Sequence, residues 1–295
     1  MSFKAKNFLV SIVIMWPSFF IFIFSMIHIF RVHRSLSTPL LVFIYIFGSL
    51  LITLLWAGSI QLFSKDVKGQ NAIMGELEKN GYTEHFLEVT SAEVYRLKEK
   101  NTTPSSRMYN IYLGYILNLA NAYGYMDNTN AALETIALIN PEDLKRKSQD
   151  KNPNFRMNLI NYFDVQMNIC EDMKDLERLD RVMYDAGPYL EEFYGKNFQH
   201  DASINEAYTI YYLMHGDIST ATQYANNSIG RSDKLNRYVG NLLMAKILKY
   251  QGRYNEAFSY TEVARNFATS PASKQFIEKL ANEITALQNA HPYFG

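Results

Sequence analysis

Six histidines, one cysteine and several pairs of adjacent acids are the residues of this chain whose types could do chemistry. Their spacing argues against most of it. His28, His33, His85, His200, His215 and His291 include no two at a ligand spacing on one helix, where i and i+4 would share a face. His200-Asp201 is adjacent rather than one turn apart, and reads as an exposed helix start. His215-Gly216-Asp217 falls where the chain must turn. Cys170 lies beside Ile169 with acids following, and reads as a small core or half-buried residue rather than a reactive thiol. As the lone cysteine it excludes an intramolecular disulfide. Glu171-Asp172 and Glu191-Glu192 are consecutive, so their carboxylates leave a helix on different faces, which suits solvation better than paired acid–base work. The chain contains no glycine-rich phosphate loop and no nucleophile elbow. The sequence therefore predicts no catalytic residue, no metal site and no cofactor, and a protein that is not an enzyme.

The elements that could position anything are of two kinds. Phe8 to Phe30 is a run of 23 residues without a charged side chain, and Leu40 to Phe63 a second of 24. At 1.5 Å per residue the first makes roughly 34 Å of helix, enough for a hydrocarbon core of about 30 Å. It is too long for a signal-peptide core, and no small-x-small cleavage site precedes Arg31. Residues 1–63 are predicted to form a two-helix transmembrane hairpin in the lipid bilayer, with Pro17 kinking the first span. Trp16 is too central to be an interfacial anchor, whereas Trp56 could be one. Ser11, Ser18 and Ser25 recur every seven residues on the first span, and Ser49, Thr53 and Ala57 every four on the second. Small-residue stripes of this kind admit either packing within one hairpin or self-association of two copies. No carboxylate or lysine lies inside either run, which disfavours transport or proton relay.

Orientation follows from basic residues. Lys4, Lys6, Lys65 and Lys68 flank one side, against Arg31 and Arg34 (with His33) in the connecting loop, so the larger part is placed in the cytoplasm. The composition, rich in Tyr, Phe and Asn, fits an AT-rich bacterial genome, hence an integral protein of a bacterial cell membrane. Removing the four basic residues before position 64 leaves 25 against 29 acids. That mildly acidic body is a poor match for nucleic acid.

Residues 64–295 read as helical hairpins with no strand. The clearest is Asn241–Tyr250, a turn at Gly252, then Tyr254–Ala264. Leu242, Ala245 and Leu248 share one face, and Tyr254, Ala257, Phe258, Thr261 and Ala264 the other. Ala245 and Ala257 allow close approach, Gly252 supplies a positive φ, and Pro271 stops the second run. Earlier hairpins are read over 67–100, 107–139, 155–194 and 201–229. Asn101-Thr-Thr-Pro104 forms a break, Leu144–Asn154 a charged loop or short turn, and Gly187-Pro188 an interruption of its helix. A final helix, Ser273–Asn289, carries Phe276, Ile277, Leu280, Ile284 and Leu287 on one face and should cap the array.

The Gly252-Arg253-Tyr254-Asn255-Glu256-Ala257 stretch resembles a tetratricopeptide (TPR) repeat, with its small residue in the first helix, Gly and an aromatic at the turn, and spaced alanines before a proline. Thr261 stands where that family prefers an aromatic. Ala221 and Ala225 take the close-packing places one hairpin earlier. Gly216 to Gly252 is 36 residues, against the usual 34 or so. The resemblance is good over 201–271, fair over 107–143 and weak elsewhere.

Together with the two uncharged runs, it implies an all-α chain: two N-terminal transmembrane helices, then a TPR-like α-solenoid of helical hairpins (64–295) with a C-terminal capping helix. By the same resemblance, first helices line a concave surface that receives a protein or peptide partner. The lining residues implied are Asn118 and Asn121, Glu206 and Ile210, and Lys246 and Lys249. Lys246 and Lys249 would form a small positive end suited to a carboxylate. All six also fit the wet sides of ordinary amphipathic helices. The function expected is a membrane-anchored protein-binding scaffold. The alternatives are an assembly factor acting through its spans or, less well supported, a membrane enzyme.

Overall fold

The computed structural model describes residues 3–29, 37–63, 65–106, 108–150 and 152–290, and among them it is helical with no strand. Arg31, His33, Arg34, Ser64, Arg107 and His291 lie outside the described residues, as do the side chains of Lys4, Lys6 and Ser11. The contacts divide the chain into two compact units, Met1–Lys79 and Asn80–Gly295.

The first unit holds α1 (Phe3–Ile29), α2 (Thr38–Phe43), a π turn (Ile44–Gly48), α3 (Ser49–Phe63) and α4 (Lys65–Asn80), whose last residue falls in the second unit. Within this unit Phe8–His28 and Thr38–Ala57 are long and apolar enough to cross a membrane, with mean hydropathy of 2.3 and 2.4. α1 runs unbroken through Pro17 and packs along α3. The stripe Ser49, Thr53 and Ala57 is fully buried, which takes it out of reach of a second copy. Ser18 and Ser25 do not oppose it and remain exposed. α1 instead half-buries Met15, Phe19, Ile23 and Ile27, spaced every four residues, so a ridge of large side chains meets a furrow of small ones. The π turn releases carbonyls from the usual ladder. The Ser49 hydroxyl compensates, 2.5 Å from the Tyr45 carbonyl oxygen and 2.9 Å from that of Ile46, while Trp16 Nε1 donates to Ser49 Oγ at 2.9 Å. Trp16 thus ties the two helices, and Trp56 is exposed beside the Phe19 ring.

The second unit continues with α5 (Glu84–Glu99), α6 (Tyr109–Tyr125), α7 (Thr129–Ile136), α8 (Pro141–Ser148), α9 (Pro153–Met173), α10 (Leu176–Phe193), α11 (Phe198–Met214), α12 (Ile218–Ile229), α13 (Lys234–Tyr250), α14 (Tyr254–Arg265) and α15 (Pro271–Ala290). Polar side chains start these helices: Thr83, Asn128, Asn140, Asn152, Asp175, Asn197, Asp217 and Asp233 each accept an otherwise unpaired N–H of the first turn. α6 pairs with α7, α9 with α10, α11 with α12 and α13 with α14. The first members also touch in a row, α6 on α9, α9 on α11 and α11 on α13. Ala221, Ala225, Ala245 and Ala257 are wholly buried where the later hairpins close. At Gly240 the backbones approach closely: a Cβ there would lie 2.7 Å from Ile229 N and 2.8 Å from Ala225 O.

Several sequence expectations are corrected. The charged segment Leu144–Asn154 is not all loop or short turn, since Leu144 to Ser148 belong to α8. Asn140 caps it, Glu142 and Asp143 sit in its first turn, Lys145 to Lys147 in its last, and Leu144 is buried. Pro188 does not interrupt α10. It stands on the exposed face with Tyr184, to whose carbonyl it offers no N–H, while buried Ala186, Leu190 and Phe193 hold the helix from the other side. His200-Asp201 is no exposed start. Both are buried, Asp201 accepting from Gly195 N–H at 2.6 Å and pairing with Arg231 at 2.8 Å. Phe258 and Leu287 are exposed rather than core.

α15 does more than cover α13 and α14. Its Phe276 ring packs edge-on against Tyr82 and Tyr125, and Lys279 Nζ donates to the Gly124 and Tyr125 carbonyls at 3.1 and 3.0 Å and reaches Asp127 at 2.6 Å. The positive charge sits at the C-terminus of α6, where unpaired carbonyls favour a cation. The last helix of the unit therefore holds its beginning as well as its end.

Candidate functional site

α6, α9, α11, α13 and α15 surround a cavity of about 810 Å³. Its apolar wall comes from residues such as Val165, Leu213, Leu242 and Leu280, with Tyr125, Tyr238 and Phe276 as aromatic surfaces. Five carboxylates and four lysines interrupt that wall, and most are paired.

Lys246 Nζ meets Glu171 at 2.8 Å, and Lys249 Nζ meets Glu283 at 2.7 Å. Burial opposes the charge of Lys246, but Glu171 and Glu206 outweigh it and push its pKa up. The positive end expected of these lysines is thus already neutralised by carboxylates of α9 and α15. Glu206, on α11, receives a hydrogen bond from the Asn168 side chain. Burial raises its pKa, Lys246 draws it down and Glu171 raises it further. Asp164 is the least compensated member. Burial pushes its carboxyl well above the usual carboxylate range, Glu206 adds to this and Lys246 only partly offsets it. Its Oδ1 is sealed from solvent without a hydrogen-bond partner. Burial also raises Asp172.

Of the six residues that sequence reasoning singled out, Asn121, Glu206, Lys246 and Lys249 line this one cavity. Asn118 does not; its Nδ2 donates to the Gly114 carbonyl of its own helix at 2.8 Å. Ile210 is fully buried in the core. Sequence reasoning missed the contribution of α9, from the least regular hairpin, and of α15. The signal was present in α9. Asp164, Asn168, Glu171 and Asp172 follow one another at intervals of four, three and one, a polar stripe on an apolar helix. What the sequence hid was that Glu171 turns from the solvated surface to meet Lys246, while Asp172 beside it stays exposed at the cavity's edge.

Chemically the cavity combines an apolar floor with one acid-rich wall, and buried ionisable groups with displaced pKa values are a usual mark of a ligand site. Cys170 stands apart from it, wholly buried, its thiol pushed up to about 11 by burial, which suppresses the thiolate. No protein-family model, curated protein or solved structure matches the chain.

Proposed function

We propose that this chain is a membrane-anchored adaptor. Phe8–His28 and Thr38–Ala57 span the bilayer as a hairpin, and the hairpins of the second unit stack as a TPR-like α-solenoid on the cytoplasmic side. The inner cavity receives a short protein segment, without catalysis. The observation that carries the reading is the convergence of first-helix residues Asn121, Glu206, Lys246 and Lys249 on one cavity. Two further features support it: the row of contacts among α6, α9, α11 and α13, and the small residues buried at the hairpin closures. A volume of about 810 Å³ lies within the range of small-ligand pockets, roughly 300–1,000 Å³, so the occupant is a few residues of extended chain rather than a whole helix. Tethering raises the local concentration of a membrane-associated partner, which makes even weak capture useful.

The test is to fill the cavity. Asn121→Trp in the full chain should keep the helical content and melting temperature and lose the partner that co-purifies with the wild type from native membranes. A filled variant that retains its partner would remove the cavity from the account and leave the spans as the binding element.

A further inference from the structure

The acid-rich wall allows the occupant to be specified, given the reading of the cavity as a binding site. We infer that Asp164 and Glu206 form a subsite for a positively charged group, a primary ammonium or a guanidinium, carried on a short apolar segment.

Three observations converge on it. First, three of the four lysines of the cavity are engaged, and the fourth, Lys174, stands exposed. Lys246 is held by Glu171, Lys249 by Glu283, and Lys279 by Asp127 and two helix-end carbonyls. Lys246 is the cation that bears on Asp164 and Glu206, and its hydrogen bond goes to Glu171, so three carboxylates share one ammonium. Second, Asp164 Oδ1 is buried with no hydrogen-bond partner. A carboxylate left in that state is under-compensated, and a cation docked where Asp164 lines the cavity would offset it. Third, the rest of the wall is apolar and aromatic: Tyr125, Tyr238 and Phe276 line the same space as Leu242 and Leu280. Such surfaces accept the aliphatic stem of a lysine or arginine and attract its charged head. A carboxylate-bearing ligand at Asp164 and Glu206 would meet the opposite situation, with Lys246 already held by Glu171 and several anions to repel it.

The test uses the full chain in lipid nanodiscs and three pools of synthetic heptapeptides. The pools share randomised apolar flanks and differ only in a central residue fixed as Lys or Arg, norleucine, or Glu. Hexylammonium chloride serves as a peptide-free probe. The Lys/Arg pool should bind about ten- to a hundredfold more tightly than the norleucine pool, the worth of a charge-assisted hydrogen bond. Asp164→Asn and Glu206→Gln, both nearly isosteric, should each erase most of that difference while the melting temperature confirms a folded chain.

Equal or better binding of the norleucine or Glu pool overturns the cationic subsite and leaves the adaptor reading standing. Binding of hexylammonium alone, lost in Asp164→Asn, keeps the subsite and overturns the peptide reading. Failure of all four probes overturns both.

Discussion

Gln275 grips Tyr82 by both ends of its peptide unit: Oε1 accepts the Tyr82 N–H at 2.7 Å, and Nε2 donates to the Tyr82 carbonyl at 3.1 Å. The same Nε2 reaches the Asn80 carbonyl at 3.1 Å. One side-chain amide thereby joins the last helix to the first turn of the second unit, 193 residues away in sequence. Gly81 must be glycine for this to happen. Its φ is +75°, and a Cβ would stand 2.9 Å from Ala272 N.

Gln275→Leu keeps the volume and removes every one of those bonds. The half-buried backbone groups it strands should cost about 1–3 kcal/mol, at roughly 2–4 °C per kcal/mol for a unit of this size. Hydrogen exchange at the Tyr82 amide should accelerate by the same free energy. Unchanged exchange there would mean that the closure is not held by this residue.

The close contact of α13 with α12 at Gly240 makes a paired prediction. Gly240→Ala forces a methyl against backbone atoms of α12 and should destabilise by about 1–3 kcal/mol. Gly114→Ala, in the interior of α6 with nothing within 4 Å of the new methyl, should be neutral or stabilising by about 0.5–1 kcal/mol. Thermal or chemical melts of the two variants check both signs at once.

The buried carboxyl of Asp164 sets a pH dependence whose sign can be worked out. With a folded pKa raised above its unfolded value near 4, the native chain holds a proton that the unfolded chain has released. Stability is therefore lost as pH rises from about 4 through the folded pKa. Glu206 and Asp172 act in the same direction. His200, whose pKa burial lowers, acts oppositely, losing stability as pH falls from about 6.5 through its lower folded pKa. The difference between Asp164→Asn and wild type isolates the first effect. The variant should melt higher at pH 7–8 and converge with wild type near pH 4. A constant offset across that range would contradict it.

Much of this was legible in the residues. The alternation of apolar runs with Gly216, Gly252 and capping Asn or Asp marks the hairpins, because turns and caps are short-range physics. The uncharged runs marked the first unit for the same reason. Where the reading failed, tertiary contacts overrode local signals: Pro188 stays helical because the opposite face is buried, and His200 is buried because α11 is covered at its start. Half of the cavity was hidden for a related reason. Whether Glu171 faces water or Lys246 depends on how α9 lies against α13, and no spacing within either helix encodes that.

Membrane orientation is tested by cysteine labelling at Ser37 and Lys274, both exposed, since the native Cys170 is buried and silent. In intact cells Ser37→Cys should react with an impermeant reagent and Lys274→Cys only after permeabilisation. Reaction of Lys274→Cys from outside would reverse the orientation.

The central claim is that the cavity between the inner helices, rather than the outer surface, holds the partner. Photo-crosslinking residues placed at Leu242 and Asn168 inside it, and at exposed Tyr184 and Tyr95 outside, address this most directly in native membranes. The account predicts one and the same adduct from both inner positions, weakened by Asp164→Asn, and none from the outer pair. Adducts from Tyr184 or Tyr95 with the inner positions empty would contradict it.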